Sequence, residues 1–482
     1  MPEMLIGGEW RQAAAHEELE VLNPATEAVV DTVPAGSRED VELAVATAKR
    51  SLGDWSRTDV EQRAALLSKA ASLIEEHAGE LAATLTAEQG KPLAEARGEV
   101  THLAHGVRFY AEAATKVRGA YQELPSAFGP AYGLVIRRPV GVCAAITPYN
   151  FPLTLLGTKV APALASGNTV VAKPAATTPL ATLEVARLFG EAGLPEGVLN
   201  VVTGRGDVVG EALISHPDVR RVAFTGSTAV GRHVMSIAGP DLKRVTLELG
   251  GSDPVIVCTD ADVDAAVKAV IIGRYWNAGQ ACLGCKRVFV HDSVYDGFVS
   301  QLVERVGRYE PGDGMVKAEK PRLRMGPIHT RAGRDELLAQ IEDGVSRGGE
   351  LLIGGGTGGH DKGFFFEPAV VAGAPEDSRL MREEVFGPVL PVTRFTDFDD
   401  ALRRANDTPY GLGSSIWTHD ARLIHRAAQE IEAGMTWVNQ IHYGYDELPF
   451  GGVKASGFGK EHGIESLDHY VELKSVVVGG LE

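Results

Sequence analysis

Cys282 is the side chain of this sequence that is best placed for covalent chemistry. It lies in the segment GQACLGCKR, residues 279–287. Lys286 and Arg287 bring positive charge close to it along the chain, and such charge lowers a thiol pKa and increases the nucleophilic thiolate fraction. The glycines on both sides indicate a loop with close backbone approach. The alternative is that Cys282 is a small buried hydrophobe, an interpretation that suits the two cysteines inside apolar strand patterns.

Glu248 and Asn150 are polar residues that stand at the ends of apolar runs. Glu248 lies between two leucines in VTLELGG, where partial desolvation raises a carboxyl pKa and suits a general base. An exposed position on an alternating strand is the alternative. Pro148 and Pro152 bracket Asn150 in TPYNFP, which predicts an ordered turn beyond a strand end. Because asparagine is common in turns, where its side chain caps nearby backbone, the turn alone accounts for its presence.

Short apolar runs alternate with helical patterns through most of the chain, as in α/β proteins with parallel sheets. Ser37 and Asp40 predict a capping box at the start of a helix, and a longer helix is predicted over residues 60–85 from its apolar spacing. Further along, strands and helices follow one another at the spacing of a dinucleotide-binding domain. The predicted strands are 169–172, 198–202 and 219–224, and the predicted helices are 178–192 and 208–215.

Three glycine clusters match phosphate-binding patterns to different degrees. Residues 354–359 satisfy G-x-G-x-x-G, but the segment HDKGFFFEP that follows does not favour a helix, so a surface turn is predicted. Gly206 follows a predicted strand, and both a structural turn and a cofactor contact remain open there. The segment FTGSTAVG, residues 224–231, lies between an apolar strand and a helix. Ser227 and nearby N–H groups are therefore candidates for a pyrophosphate site, although a helix cap without a ligand would have the same sequence.

Composition and charge restrict the class of protein. A chain of 482 residues predicts two or three domains. The formal net charge of −17 argues against nucleic acid or an anionic membrane as partner, because either needs a basic patch. The amino terminus has no secretory signal pattern, and no apolar stretch reaches the roughly 18 residues of a spanning helix. Four cysteines do not suggest a disulfide framework, so a cytoplasmic location is expected.

Seven segments, in their order and spacing, resemble the aldehyde dehydrogenase superfamily: TPYNFP, KPA, FTGSTAVG, LELGG, GQACLGCKR, EEVFGPV and PFGGVKASG. The resemblance covers nearly the whole chain and implies NAD(P)-dependent, non-acylating oxidation of an aldehyde to its acid. It implies that Cys282 attacks the aldehyde to give a thiohemiacetal, which the side chain of Asn150 and the backbone N–H of Cys282 stabilise. Glu248 would activate the water that hydrolyses the resulting thioester. Lys159 and Glu461 match residues that support this centre and relay protons.

The resemblance also implies a Rossmann-like site for NADP or NAD. Lys173 matches a lysine at the adenosine ribose, Ser227 the pyrophosphate serine, and Glu384 a carboxylate at the nicotinamide ribose. The other residues expected along the cofactor are Ile146, Thr147, Tyr149, Gly206, Phe224, Gly226, Leu249, Gly250 and Phe386. NAD-preferring members often carry glutamate where this chain has Ala176. Its absence removes repulsion against a 2′-phosphate while Lys173 remains to attract one, so NADP is expected to be accepted.

The resemblance implies an aldehyde tunnel formed by Phe151, Thr158, Trp276, Leu283, Tyr443 and Phe450. Succinic-semialdehyde members often carry arginine at the position of Thr158, so a carboxylate clamp is missing there. A medium-sized aromatic, hydroxy- or semialdehyde substrate is expected. The alternatives are succinic semialdehyde specifically, a CoA-acylating reaction or an esterase activity, and Glu248 argues against CoA acylation because such enzymes generally lack this base. Loss of Cys282 or Glu248 would favour a non-enzymatic role, and both are present.

Three regions follow from the same resemblance. A cofactor-binding domain is expected at 1–120 and 140–247, an α/β catalytic domain at 248–463, and a small β oligomerisation flap at 121–139 and 464–482. Homodimers or homotetramers are typical of the family. The sequence shows no cluster of metal ligands, so no metal is expected.

Overall fold

The predicted alternation of strands and helices is present in the computed structural model, which describes residues 2–125, 129–319 and 322–479. The predicted flap includes 126–128 and 480–482, which lie outside the described residues. Numbered in chain order, the strands are β1 Met4–Ile6, β2 Glu9–Arg11, β3 Glu18–Leu22, β4 Val29–Pro34, β5 Ala120–Leu124, β6 Ala131–Pro139, β7 Val142–Ile146, β8 Thr169–Lys173, β9 Leu199–Val201, β10 Val219–Thr225, β11 Arg244–Glu248, β12 Pro254–Val257, β13 Arg287–His291, β14 Tyr309–Pro311, β15 Leu323–Met325, β16 Glu350–Ile353, β17 Ala369–Ala372, β18 Val389–Phe395, β19 Ser415–Trp417, β20 Trp437–Val438, β21 Gly457–Phe458 and β22 Val471–Gly479. The α-helices are α1 Arg38–Arg57, α2 Val60–Glu76, α3 Ala78–Gln89, α4 Leu93–Ala114, α5 Pro152–Ala165, α6 Leu180–Glu191, α7 Glu211–Ser215, α8 Thr228–Ala238, α9 Val263–Tyr275, α10 Asp292–Val306, α11 Arg331–Ser346, α12 Arg379–Arg382, α13 Phe398–Asn406 and α14 Ala421–Glu430.

Local sequence explains where the first helices begin and end. The Ser37 hydroxyl accepts from the backbone N–H of Asp40, and the Asp40 carboxylate accepts from the N–H of Ser37 at 2.8 Å, so the predicted capping box is confirmed. The single helix predicted over 60–85 is wrong in one respect. The chain leaves the helical conformation at His77 (ψ 11°), and α2 and α3 lie on either side of it. Apolar spacing continues across this residue, which is why the sequence pattern does not reveal the break.

The first sheet has eight strands in the order β2-β1-β9-β8-β7-β10-β11-β21. Its five central strands, from β9 to β11, run parallel, and the edges are antiparallel. Strands β7 and β8 are buried throughout, as expected for parallel strands covered on both faces. The carboxyl ends of neighbouring strands are in register: Ile146 pairs with Lys173, and Thr225 pairs with Glu248. This edge is where open α/β sheets bind ligands.

The second sheet has seven strands in the order β16-β17-β18-β13-β12-β19-β20, all parallel except the edge strand β16. The loop that connects α9 to β13 carries Cys282. Strand β21 lies within the segment predicted as catalytic domain, yet it pairs with β11 of the first sheet, Glu248 opposite Gly457. The chain therefore crosses between the two sheets beside Glu248, and the domain limits given above stay a prediction.

A third sheet has the order β22-β6-β5 and contains most of the described part of the predicted flap. Strand β22 pairs antiparallel with β6 from Val471–Pro139 to Gly479–Ala131. Large apolar side chains on this sheet are exposed, including Tyr121, Leu473 and Val477. In the described part of the chain, no helix is long and apolar enough to cross a membrane.

Candidate functional site

The loop before Cys282 has an unusual backbone that places it against the rest of the site. After α9, Asn277 and Ala278 both adopt the left-handed region (φ 52° and 51°), and Gly279 follows at φ 71°. A side chain at Gly279 would collide with the backbone of Gly387. The glycine of this motif is therefore required both by its conformation and by the close approach of a neighbouring loop.

Asp253 anchors the other side of the cysteine loop. Its buried carboxylate accepts from the N–H of Gly284 at 3.1 Å and from the N–H of Gly413 at 2.9 Å. Its carbonyl accepts from the N–H groups of Lys286 and Arg287, each at 3.1 Å. The loop is therefore held by backbone donors, which explains how a segment with little regular structure can fix the position of a thiol.

The expectation that nearby cations lower the pKa of Cys282 is wrong. Burial raises the pKa of this thiol to about 12, the charges of Glu248 and Glu384 add to the effect, and Lys286 offsets only part of it. The Lys286 ammonium is occupied by the carbonyls of Ala281 and Val385, at 2.7 and 3.1 Å. The guanidinium of Arg287 is directed away, toward carbonyls such as that of Ser252. Cys282 is thus held as a neutral thiol in the free protein.

Asn150 is hydrogen-bonded to the cysteine loop through both its side chain and its backbone carbonyl. Its side-chain amide donates to the carbonyl of Gln280 at 3.0 Å, two residues before Cys282. Its backbone carbonyl accepts from the Lys91 ammonium and from the Asn277 side chain, each at 2.8 Å. Only one of the two amide hydrogens of Asn150 is needed for the bond to Gln280, so the other is available to a ligand.

Lys91 is a buried residue of the site that the sequence did not single out. It forms an ion pair with Glu99, and its ammonium lies 4.1 Å from the ring centroid of Phe151. Glu99 in turn accepts from the N–H of Leu153 at 2.8 Å. This pair fixes the turn that carries Asn150 to the start of α5. No local motif marks it, because its two members act on a segment more than fifty residues further along the chain.

Glu248 ends β11 in a dry environment. Only 1% of the residue is exposed, and neither carboxylate oxygen has a hydrogen-bond partner among the described residues. Burial raises its pKa well above the ordinary value, and the charge of Glu461 adds to this, while Lys159 and Lys460 oppose it. A Cβ on Gly451 would lie 2.5 Å from its Oε1. The alternative of an exposed strand residue is therefore wrong, and the side chain has the properties of a base.

Behind Glu248 lies a buried ion pair. The Lys159 ammonium donates to Glu461 Oε1 and to the Thr225 hydroxyl, each at 2.7 Å. Thr158 was expected to line the aldehyde tunnel, and the structure corrects this. Its hydroxyl donates to Glu461 Oε2 at 2.7 Å and to the Leu155 carbonyl at 3.2 Å. The position of Thr158 on α5 therefore points its side chain toward the ion pair.

The amino terminus of α8 has the shape of a phosphate site. Ser227 caps the helix, its hydroxyl accepting from the N–H of Val230 at 3.4 Å. A Cβ on Gly226 would lie 2.5 Å from the ring of Phe224, and one on Gly231 would meet the side chain of Leu249 at the same distance. The glycines therefore allow Phe224 and Leu249 to pack closely against the start of an eleven-residue helix, where N–H groups favour an anion.

Lys173 lies at the end of β8, two strands away from β10 in the same sheet, where the adenosine ribose is expected. Its ammonium donates to the Pro174 carbonyl at 2.9 Å, and burial lowers its pKa to about 8 against the opposing charge of Asp207. Ala176 is partly exposed nearby in sequence. Gly206 opens a short π-helical turn, Gly206–Gly210, and not a regular α-helix. These groups fit the adenosine half of a nicotinamide dinucleotide.

Several residues predicted for the nicotinamide region contact one another or the neighbouring backbone. Glu384 accepts from the N–H of Gly251 at 3.0 Å, and a side chain on Gly250 would collide with its carboxylate. Tyr149 contacts Phe386 edge to face with ring centroids 6.2 Å apart. Its other face stacks on His329 at 4.4 Å, a contact the sequence did not predict. Ile146 ends β7, Thr147 follows it, and both are buried.

A cavity of about 230 Å³ opens beside Cys282. Five of the six residues predicted for the aldehyde tunnel line this cavity, and the sixth, Thr158, does not. The lining is Gly98, Glu99, His102, Phe151, Thr154, Leu155, Ile272, Gly273, Trp276, Ala281, Cys282, Leu283, His442, Tyr443, Gly444, Phe450 and His462. The three histidines were missed by the sequence reasoning. His442 is fully buried, and neither of its ring nitrogens has a hydrogen-bond partner among the described residues.

Comparison with known proteins agrees with this architecture. A model of the aldehyde dehydrogenase family matches residues 10–476. The chain is 42% identical to phenylacetaldehyde dehydrogenase of Pseudomonas fluorescens, over 99% of this chain and 95% of that protein. It is 38% identical to the NADP(+) succinate-semialdehyde dehydrogenase GabD of Escherichia coli, over 98% of this chain and 97% of that protein.

Among solved structures, an NADP-dependent enzyme of E. coli matches with TM-score 0.95 and 37% identity, over 99% of this chain and 98% of that one. The NAD+ complex of an aldehyde dehydrogenase from Bacillus cereus matches with TM-score 0.94 and 38% identity, over 99% and 96%. The predicted α/β fold class with a Rossmann-like region is confirmed.

Proposed function

The chain belongs to the aldehyde dehydrogenase family and oxidises aldehydes with a nicotinamide cofactor, and we propose that Cys282, Asn150 and Glu248 form its catalytic centre. The observation that carries this proposal is that the buried residues Asn150 and Glu248 both act on the partly buried loop of Cys282. Asn150 bonds to the loop of Cys282 through the Gln280 carbonyl, and the charge of Glu248 acts on the Cys282 thiol. A nucleophile, an amide donor and a base are the groups that acyl chemistry requires.

In the first step, the Cys282 sulfur attacks the aldehyde carbon and gives a thiohemiacetal. The raised pKa of the thiol means that its proton must leave as the carbon–sulfur bond forms. We assign this proton to Glu248, because burial raises the pKa of its carboxyl and so makes it a stronger base. The free amide hydrogen of Asn150 and the backbone N–H of Cys282 stabilise the negative oxygen.

Lys173, Ser227 and Glu384 would hold a nicotinamide cofactor, which would supply the hydride acceptor needed to convert the thiohemiacetal on Cys282 into a thioester. Once it has released the first proton, Glu248 takes a proton from the water that attacks this thioester, and neither of its carboxylate oxygens has a hydrogen-bond partner among the described residues. The pair of Lys159 and Glu461 lies behind Glu248 and provides a buried route for the proton. The products are the carboxylic acid and the regenerated thiol.

The direct test is reduced-cofactor absorbance with phenylacetaldehyde for the Cys282→Ala variant. We expect activity to fall to the background of the assay. Cys285→Ala is the matched control, since Cys285 is a buried thiol three residues away, and it should retain turnover. Reduced cofactor produced by Cys282→Ala at the rate of the parent enzyme would contradict the mechanism.

We also propose that the enzyme accepts NADP. Ala176 presents no carboxylate to a 2′-phosphate, and the Lys173 ammonium, with a pKa of about 8, is largely charged at neutral pH. The test is to measure kcat/KM for NAD and NADP in the parent and in Ala176→Glu. The new carboxylate should lower kcat/KM for NADP at least tenfold and leave NAD turnover in place. A parent enzyme that strongly prefers NAD would overturn this part of the proposal.

For the substrate we propose a medium-sized aromatic aldehyde. Phe151 and Trp276 meet edge to face in the cavity, with ring centroids 6.4 Å apart, and no arginine or lysine is among the described residues that line it. A relative named phenylacetaldehyde dehydrogenase supports this choice, whereas relatives named for succinate semialdehyde support the alternative. We expect kcat/KM for phenylacetaldehyde to exceed that for succinic semialdehyde at least tenfold. The reverse order would favour the semialdehyde.

We infer that the chain assembles into homodimers or homotetramers through the third sheet. Leu473 and Val477 on β22 are about two-thirds exposed, which is unusual for aliphatic side chains on an ordered strand. Sedimentation of the parent and of Leu473→Glu tests this inference. The variant should sediment as a smaller species, and a parent that sediments as a monomer would refute it.

A further inference from the structure

Three histidines surround one buried carboxylate at the wall of the aldehyde cavity. His102 and His105 lie one turn apart on α4, and Asp446 belongs to the loop between β20 and β21. His462 is the residue after Glu461. Asp446 Oδ1 lies 2.7 Å from His462 Nδ1 and 3.6 Å from His102 Nε2. Asp446 Oδ2 lies 2.6 Å from His105 Nδ1. The mechanism described above uses none of these four side chains.

The spacing of three of these atoms matches a metal site. His102, Asp446 and His462 each offer one ligand atom, and these three atoms lie within 4.8 Å of one another. Tetrahedral zinc with ligand bonds of about 2.0–2.1 Å separates its ligand atoms by roughly 3.3 Å, and the 3.6 Å between His102 and Asp446 is close to that separation. The 2.7 Å contact of His462 with Asp446 is a hydrogen bond that the ion would replace. An ion can therefore be held after small movements of the side chains.

One ring nitrogen points to a missing partner. His102 Nε2 is a buried atom with no hydrogen-bond partner among the described residues, although it faces the Asp446 carboxylate. Desolvating a ring nitrogen without a partner is costly. A metal ion between the two groups would give this nitrogen the partner that it lacks.

Neighbouring side chains orient the proposed ligands through hydrogen bonds to those of their atoms that would not bind the metal. The other ring nitrogen of His102, Nδ1, lies 3.2 Å from the Tyr443 hydroxyl, which fixes the orientation of the ring. The second oxygen of Asp446 is bonded by His105, so the carboxylate is oriented as well. Partners of this kind are the rule around ligating histidines and carboxylates.

We propose that His102, Asp446 and His462 bind one divalent transition-metal ion of the zinc class at the wall of the aldehyde cavity. Two imidazoles and one carboxylate suit such ions and leave at least one coordination position open. His102 and His462 line the cavity that Cys282 also lines, so the open position is accessible to a small molecule in that cavity. Binding of the ion does not depend on the reaction at Cys282, and its failure would leave the proposed function intact.

The experiment uses full-length, tag-free enzyme carrying Cys282→Ser, because a free thiol in the same cavity can bind added zinc by itself. After treatment with EDTA and desalting, the protein is titrated with zinc sulfate by calorimetry and with cobalt chloride by visible absorption. We expect one ion per chain in both titrations, with cobalt bands typical of a site of low coordination number. His102→Gln and Asp446→Asn should each weaken zinc binding at least tenfold.

His425→Gln is the control, because His425 is an exposed histidine on α14, away from the cluster, and it should bind zinc like the parent. Circular dichroism of each metal-free variant shows whether it folds, and His102→Gln remains informative if Asp446→Asn does not. Absence of a stoichiometric ion in the Cys282→Ser enzyme, or unchanged zinc affinity in folded His102→Gln, would overturn the proposal. The four side chains would then form only a hydrogen-bonded link between α4 and the loop.

Discussion

Replacing Lys159 by methionine should affect stability and pH dependence in a way that the buried ion pair defines. The side chains of Lys159 and Glu461 are 0% and 4% exposed and meet at 2.7 Å. Removing one partner of a buried pair costs about 3–5 kcal/mol, against about 0–1 kcal/mol for an exposed pair. Glu461 keeps its hydrogen bond from Thr158 in the variant. We therefore expect a loss near the lower limit, about 3 kcal/mol.

The two partners should shift the pH dependence of thioester hydrolysis in opposite directions. Lys159 lowers the pKa of Glu248, and the charge of Glu461 raises it. Lys159→Met therefore raises the pKa of Glu248 further, so the base is deprotonated only at higher pH and the hydrolysis profile moves to alkaline pH. Glu461→Gln lowers that pKa, and the profile moves to acidic pH.

The assay is stopped-flow absorbance of the reduced cofactor at pH values where a burst shows that hydrolysis limits turnover. Urea unfolding of the two single variants and of the double variant Lys159→Met with Glu461→Gln gives the stability part. The double variant should be more stable than Lys159→Met alone, because it leaves no buried charge without a partner. Shifts of the two pH profiles in the same direction, or a double variant as unstable as the sum of the singles, would refute the reasoning.

Three further substitutions test single contacts of the site. Asn150→Ala should lower kcat by about 10²- to 10³-fold, the effect of losing one oxyanion donor, and an unchanged kcat would remove Asn150 from this role. Glu248→Gln should slow turnover by about 10²- to 10⁴-fold and remove the burst of reduced cofactor, because the same base serves both steps; a burst of one reduced cofactor per site would restrict Glu248 to hydrolysis. Ser227→Ala should cost about 1 kcal/mol of stability as a lost helix cap and raise KM for the cofactor. Ser227→Thr is its matched control, and equal KM values in both variants would argue against a phosphate contact.

Much of the fold could be predicted from the sequence because buried parallel strands leave a clear pattern. The continuous apolar run at 169–172 is β8, and the run at 219–224 is β10, each within one residue of the predicted limits. The capping box at Ser37 was readable because it depends only on two residues three positions apart. The break at His77 was not readable, since apolar spacing does not distinguish one long helix from two consecutive ones.

Side-chain direction and long-range contacts account for what the sequence reasoning missed. Lys286 is close to Cys282 along the chain, but its ammonium is bound to backbone carbonyls, and burial decides the pKa of the thiol. Thr158 and Leu155 are one turn apart on α5, yet only Leu155 faces the cavity. His102 and Asp446 are separated by 344 positions (446 minus 102), so no local pattern could bring them together.

Gly250 and Gly451 contribute no functional atom, yet each stands against a carboxylate: Glu384 in the first case and Glu248 in the second. Each carboxylate thus occupies space that the side chain of any larger residue at the neighbouring glycine position would fill. Mutagenesis libraries that randomise only the chemically active residues would leave this constraint untouched, and those that include the two glycines would lose most of their members. For anyone reshaping this enzyme toward a new aldehyde, the positions to hold constant are therefore not only those with side chains.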